Sequence, residues 1–183
     1  MSITRRAAPG MTLVELMIVV VIMGILAAVA YTGYGAYIRR SRSQEARAML
    51  LTIASREDAY RAEFAQYCAA GRTSGSPPAS LGVTSAWPAS APSRIATDFL
   101  TSVPVEWNQL GFRPTGGVRY RYVVITGTPS TAPPGEAGYA GSPNQDLWYI
   151  AEAYGDLDGD SLLSTYRLFS GNGNRLTITN ETE

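Results

Sequence analysis

MTLVELMIVVVIMGILAAVAYTGY (Met11–Tyr34) follows directly on a short basic leader, MSITRRAAPG (Met1–Gly10). From Leu16 to Ala30 the segment carries no charge and almost no polar group. Met11 to Tyr31 matches the roughly 20 residues that an α-helix needs to cross a bilayer, and exceeds the roughly 7–15 of a secretory signal's apolar region. Ala27-Ala28-Val29-Ala30 still offers the small residues of an ordinary signal-peptide cleavage site, so that reading stands beside the membrane-helix one.

Glu15 is the informative residue of this segment. An acid at the centre of a membrane helix costs roughly 2.5–3.5 kcal/mol, less near an interface, so an ionisable group there is a functional hypothesis with a partner to be named. The segment contains no cation. Cleavage after Gly10 would create an α-amino group on Met11, one helical turn from Glu15, where the helix N-terminus also favours a carboxylate. The amine of a neighbouring subunit would serve equally. The plain alternative is an acid that reaches to the interface, as charged groups near helix ends do.

Gly10 followed by Met11–Tyr34 resembles the class III signal of type IV pilins and related pseudopilins. The resemblance runs from Arg5 to about Ala46 and includes Tyr34, Tyr37 and Ser43-Gln44-Glu45-Ala46. It implies that a prepilin peptidase cuts between Gly10 and Met11 and methylates the new N-terminus. It implies also that Glu15, fifth in the mature chain, serves filament assembly, and that the leader lies inside and the remainder outside. Met11 stands where phenylalanine is usual, and Thr32 where many members have proline. Any bend there would rest on Gly24, Gly33 and Gly35.

Beyond Ile38 the chain reads as soluble protein. Over Arg39–Tyr67, Ala46, Met49, Leu50, Ile53, Tyr60, Phe64 and Tyr67 recur at helical spacing, interrupted by Glu57. No proline occurs between Met11 and Cys68, so one helix of ~85 Å is expected, at 1.5 Å per residue. Gly71–Arg94 and Gly127–Pro143 have the Pro, Gly, Ser and Ala content of surface loops. Arg119–Thr126, Trp148–Tyr154, Thr165–Ser170 and Leu176–Thr179 read as strands. The expected fold is α+β: a long N-terminal helix packed on an antiparallel sheet, pilin-like. Its parts are a leader (1–10), an apolar helix (11–38), an amphipathic continuation (39–67) and a globular head (68–183). Trp107–Pro114 (WNQLGFRP) with Tyr120 and Tyr122 also resembles pilin heads, more weakly.

Composition narrows the chemistry. The 183 residues include 15 basic and 15 acidic side chains, no histidine, and no lysine. The balanced charge gives no sign of nucleic-acid binding. Without imidazole, lysine amine or a recognisable nucleophile motif, an enzyme is not expected. Cys68 stands alone, so no disulfide closes within the chain; it reads as a reactive thiol, as half of an intermolecular bridge, or as a small buried apolar group. Asp156-Leu-Asp158-Gly-Asp160 spaces three carboxylates as at the start of a calcium loop, with Ser164 at the ninth position. Arg167 occupies the twelfth, where an acid belongs, and an acidic hairpin turn is the plain alternative. No cofactor is required; calcium is the one candidate. Asn180-Glu181-Thr182 fits a glycosylation pattern. Arg39, Arg40 and Arg42 suit anionic headgroups or a solvated helix face.

The expected function is that of a structural subunit, major or minor, of a type IV pilus-like filament. Its partners would be prepilin peptidase, other pilin subunits, the pilus assembly machinery and the inner membrane. The subunit would sit in that membrane with its head in the periplasm, then move to an extracellular filament. A type II secretion pseudopilin and a membrane-tethered surface adhesin are the alternatives.

Overall fold

A computed structural model describes residues 10–72, 77–90, 95–135 and 146–180. Met1–Pro9 of the leader, parts of both expected loops, and Glu181-Thr182 of the glycosylation pattern lie outside the described residues. Helix α1 runs Leu13–Phe64, uninterrupted by proline. The chain divides into two compact units, Met1–Ile38 and Arg39–Glu183.

In the first unit the large apolar side chains from Met11 to Val29 are exposed, from 48% at Val19 to 74% at Leu13. The second unit encloses its own core. Its elements are the C-terminal part of α1, β1 (Thr97–Asp98), α2 (Val105–Leu110), β2 (Gly117–Val118), β3 (Arg121–Gly127), β4 (Trp148–Gly155), β5 (Ser164–Phe169) and β6 (Arg175–Thr179). Strands β3 to β6 form an antiparallel sheet in sequence order, while β1 and β2 pair separately. The fold is the α+β, pilin-like arrangement expected.

Strand alternation sorts the sheet's residues to two faces. Tyr122, Val124, Tyr149, Ala151, Ala153, Tyr166 and Leu168 join Ala46, Leu50, Ile53 and Ala54 of α1 in one core. Phe99, Trp107 and Phe112 extend it as an aromatic group, with ring centroids 5.2–5.4 Å apart. Such tilted and edge-on pairs add to what burial alone contributes. The opposite face is closed as well. Ile125, Trp148, Ile150 and Phe169 form one cluster there, and Ala86, Val123 and Tyr154 another, with Leu81 packed against both. Every residue of β4 is therefore buried. Gly155, at its end, lies so close to the Tyr120 ring that a Cβ would collide with it.

Glu45 ties α1 to the sheet. One carboxylate oxygen accepts the Arg119 amide at 2.7 Å, and the other lies 3.4 Å from the Arg119 guanidinium. The first loop is held to the edge of β3 by backbone pairing of Ala70 with Val124 and of Trp87 with Tyr122.

Two positions on α1 depart from the expected stripe. Phe64 is half-exposed, its ring against Tyr60 at 4.5 Å. The helix ends there, Ala65 turns the chain in a left-handed conformation, and the returning segment brings Tyr67 onto Tyr149. Glu57, which interrupts the pattern, is itself fully buried. Its Oε2 accepts the Cys68 amide at 2.9 Å, and its Oε1 is buried without a partner.

Burial pushes the Glu57 carboxyl up from 4.5 to about 8, with the Cys68 amide opposing and Asp58 adding to the shift. A folded-state pKa above the unfolded one means the native protein holds a proton that the unfolded chain has lost. Stability from this group is then complete below about pH 4.5 and is lost as pH rises through about 8. The melting temperature of the isolated second unit should fall across that window, and Glu57→Gln should flatten the slope. An unchanged slope in Glu57→Gln would assign the pH dependence elsewhere.

Candidate functional site

The first turn of α1 is closed by its own side chains. Thr12 precedes the helix, and its carbonyl accepts the Leu16 amide at 3.3 Å. The Thr12 hydroxyl accepts the Glu15 amide at 3.3 Å. In return, Glu15 Oε2 accepts both the Thr12 amide at 2.8 Å and the Thr12 hydroxyl at 2.9 Å. This is a capping box, the reciprocal pairing of a threonine N-cap with a glutamate three residues on. It satisfies orphan amide donors of the helix terminus and places a carboxylate where the helix dipole favours it. Thr12 escaped the sequence reading, although Thr12-Leu-Val-Glu15 is the pattern that signals it.

Gly10 and Met11 lie just before this turn, both exposed, with open space around Gly10. The peptide between them is thus presented at the head of an apolar helix long enough to cross a membrane.

The second group of predicted residues lies in the turn from β4 to β5. Asp156 Oδ1 accepts the Gly159 amide at 2.6 Å, and Oδ2 the Ser161 amide at 3.2 Å. Asp158 accepts the Asp160 amide at 3.2 Å, and Asp160 the Leu162 amide at 2.7 Å. These bonds stabilise a turn in which Gly159 and Ser161 both take positive φ. One oxygen from each carboxylate lies within 4.8 Å of the others, a spacing that a divalent cation bridges. The three acids fit a hard ion. The rest of the calcium-loop pattern does not extend to the later positions. The Ser164 hydroxyl is buried and donates to Gly155 O at 3.0 Å. Arg167 bonds Glu152 Oε1 at 3.0 Å and also the Pro134 carbonyl. Glu152 in turn accepts the Tyr154 hydroxyl.

Cys68 is buried, its thiol 3.6 Å from the Glu106 carbonyl. Burial, with Glu57 and Glu106 adding, pushes the thiol up to about 12, so it is not a reactive thiolate at neutral pH.

Residues 5–31 match the prokaryotic N-terminal methylation motif, which makes this segment a type IV pilin signal. Among curated proteins, the fimbrial protein EcpC of Eikenella corrodens is 50% identical over 42 residues. That match covers 23% of this chain and 28% of the length of EcpC. No solved structure matches the chain. The motif match lies in the N-terminal segment, and the two similarities together support a pilin-like structural subunit whose apolar helix fits membrane anchoring.

Proposed function

We propose that this chain is a structural subunit of a type IV pilus-like filament, released from its leader by prepilin peptidase and polymerised through α1. The observation that carries the reading is the Glu15 carboxylate, held by Thr12 beside the Gly10–Met11 peptide at the head of an exposed apolar helix. Cleavage there places a new cation within one turn of the acid. The helix rests in the inner membrane, head outward, until filament contacts replace lipid. Other pilin subunits and the assembly machinery are then its partners, and a catalytic role is not part of the reading. Whether the filament is a pilus or a secretion pseudopilus, its apolar core would be built in the same way.

Intact-mass measurement on membrane-bound protein should show loss of Met1–Gly10 and one added methyl group on Met11. A mature terminus near Tyr31, or an intact leader, overturns the cleavage reading. Glu15→Ala should insert and be cleaved normally but be recovered in sheared filaments at least about tenfold less than wild type, as loss of an interaction worth 1.4 kcal/mol would give. Equal recovery would make the acid incidental.

We also propose that Asp156, Asp158 and Asp160 take calcium. What supports this is the convergence of three carboxylates in a head without a disulfide. A bound ion offsets their mutual repulsion and stabilises the folded state by RT ln(1 + [L]/Kd), about 2.7 kcal/mol at a hundredfold excess over Kd. The melting temperature of the second unit should be higher in calcium than in chelator, and Asp158→Ala should abolish the difference. Identical melting in the two buffers leaves an acidic turn.

A further inference from the structure

We propose that Arg121 and Arg72 form a binding site for a small oxyanion, a phosphate or carboxylate group, at the start of β3, beside the loop that pairs with its edge. Arg121 opens that strand and is 7% exposed. Its Nη2 donates to the Ala86 carbonyl at 2.8 Å, and its Nε is buried with no acceptor at all. A guanidinium carries five N–H donors and stays charged in proteins, so a buried one with a single neutral acceptor is under-satisfied.

No carboxylate among the described residues pairs with it. Glu152 is on the same face of the sheet, opposite Val123, but is taken by Arg167 and Tyr154. The charged neighbour of Arg121 is a second cation, Arg72, whose backbone is pinned to Ser85 at 2.8 Å. Burial and then Arg72 both disfavour the Arg121 charge. The Arg121 guanidinium is fixed on the Ala86 carbonyl, and the Arg72 backbone on the neighbouring Ser85 carbonyl, so one anchored guanidinium and an exposed arginine side chain flank the same loop junction. Guanidinium groups are the usual bidentate partners of oxyanions. An anion there would relieve the repulsion between the cations and fill the missing hydrogen bonds. The site does not depend on the assembly reading.

The test uses the full chain in a neutral detergent, melted in calcium-free buffer with chloride, inorganic phosphate or acetate at matched ionic strength. Phosphate, acetate or both should raise the melting midpoint saturably by roughly 3 °C over chloride, the scale of a 1 kcal/mol stabilisation in a protein of this size. The anion that acts tells a phosphate site from a carboxylate site. Arg121→Met should lose the response. Arg72→Ala, an exposed change that leaves the core intact, should weaken saturation at least about threefold, as loss of one surface charge contact does. If neither anion exceeds chloride, or if either variant responds as wild type does, the proposal is wrong.

Discussion

The whole molecule answers to one constraint: the apolar face of α1 from Leu13 to Val29 is left exposed by the chain that carries it. Side chains of this kind lose roughly 1.5–3 kcal/mol each when left in water. The segment therefore has to live in lipid or against other apolar helices. Everything C-terminal to Ile38 must then fold without help from it. The division of the chain between Ile38 and Arg39 is the structural expression of that demand.

A head relieved of disulfides meets the demand by burying the central strand β4 on both sides. Four tyrosines, Tyr120, Tyr122, Tyr149 and Tyr166, fill the face toward α1. Their hydroxyls need acceptors, and Tyr149 finds one in Asn174 at 2.7 Å. The second face is closed by the first loop and by the segment after β3, with Arg167 reaching from Glu152 to Pro134. Loops used in this way do the work that cross-links do in many small extracellular domains. The cost is visible in buried polar groups. Glu57 and Arg121 are held where solvent would serve each better.

Strong local signals were legible in the sequence. The strands β3 to β6 fall within a residue or two of the segments rich in Val, Ile, Tyr and Thr, because pleated, half-buried surface selects those residues. The apolar run and its acid were equally plain. Short elements were not: β1 and β2 are two residues each, and α2 six, too few for a period to emerge. The second face of the sheet was invisible because loops cover it, and loop composition does not state what a loop packs against. Glu57 read as a break in an apolar stripe, since only the returning Cys68 amide gives a carboxylate reason to be there. Thr12 was legible through the capping pattern, but an acid in a membrane segment invites a search for cations rather than for a hydroxyl three residues back.

That threonine changes what Glu15 means. A carboxylate alone in an apolar segment would resist insertion and would have to be rescued by a partner subunit. Held by the Thr12 amide and hydroxyl, it is satisfied within its own first turn. An N-cap of this kind is worth about 1 kcal/mol, small beside a charge-assisted bond in an apolar surrounding. The capping box is thus strong enough to hold the acid in place and weak enough to release it. On the proposed reading, an amine made by cleavage next to Thr12 competes for the same carboxylate oxygen. Whichever subunit supplies that amine then sets the order of events: a satisfied acid while the chain waits in the membrane, and an ion pair once the leader is gone.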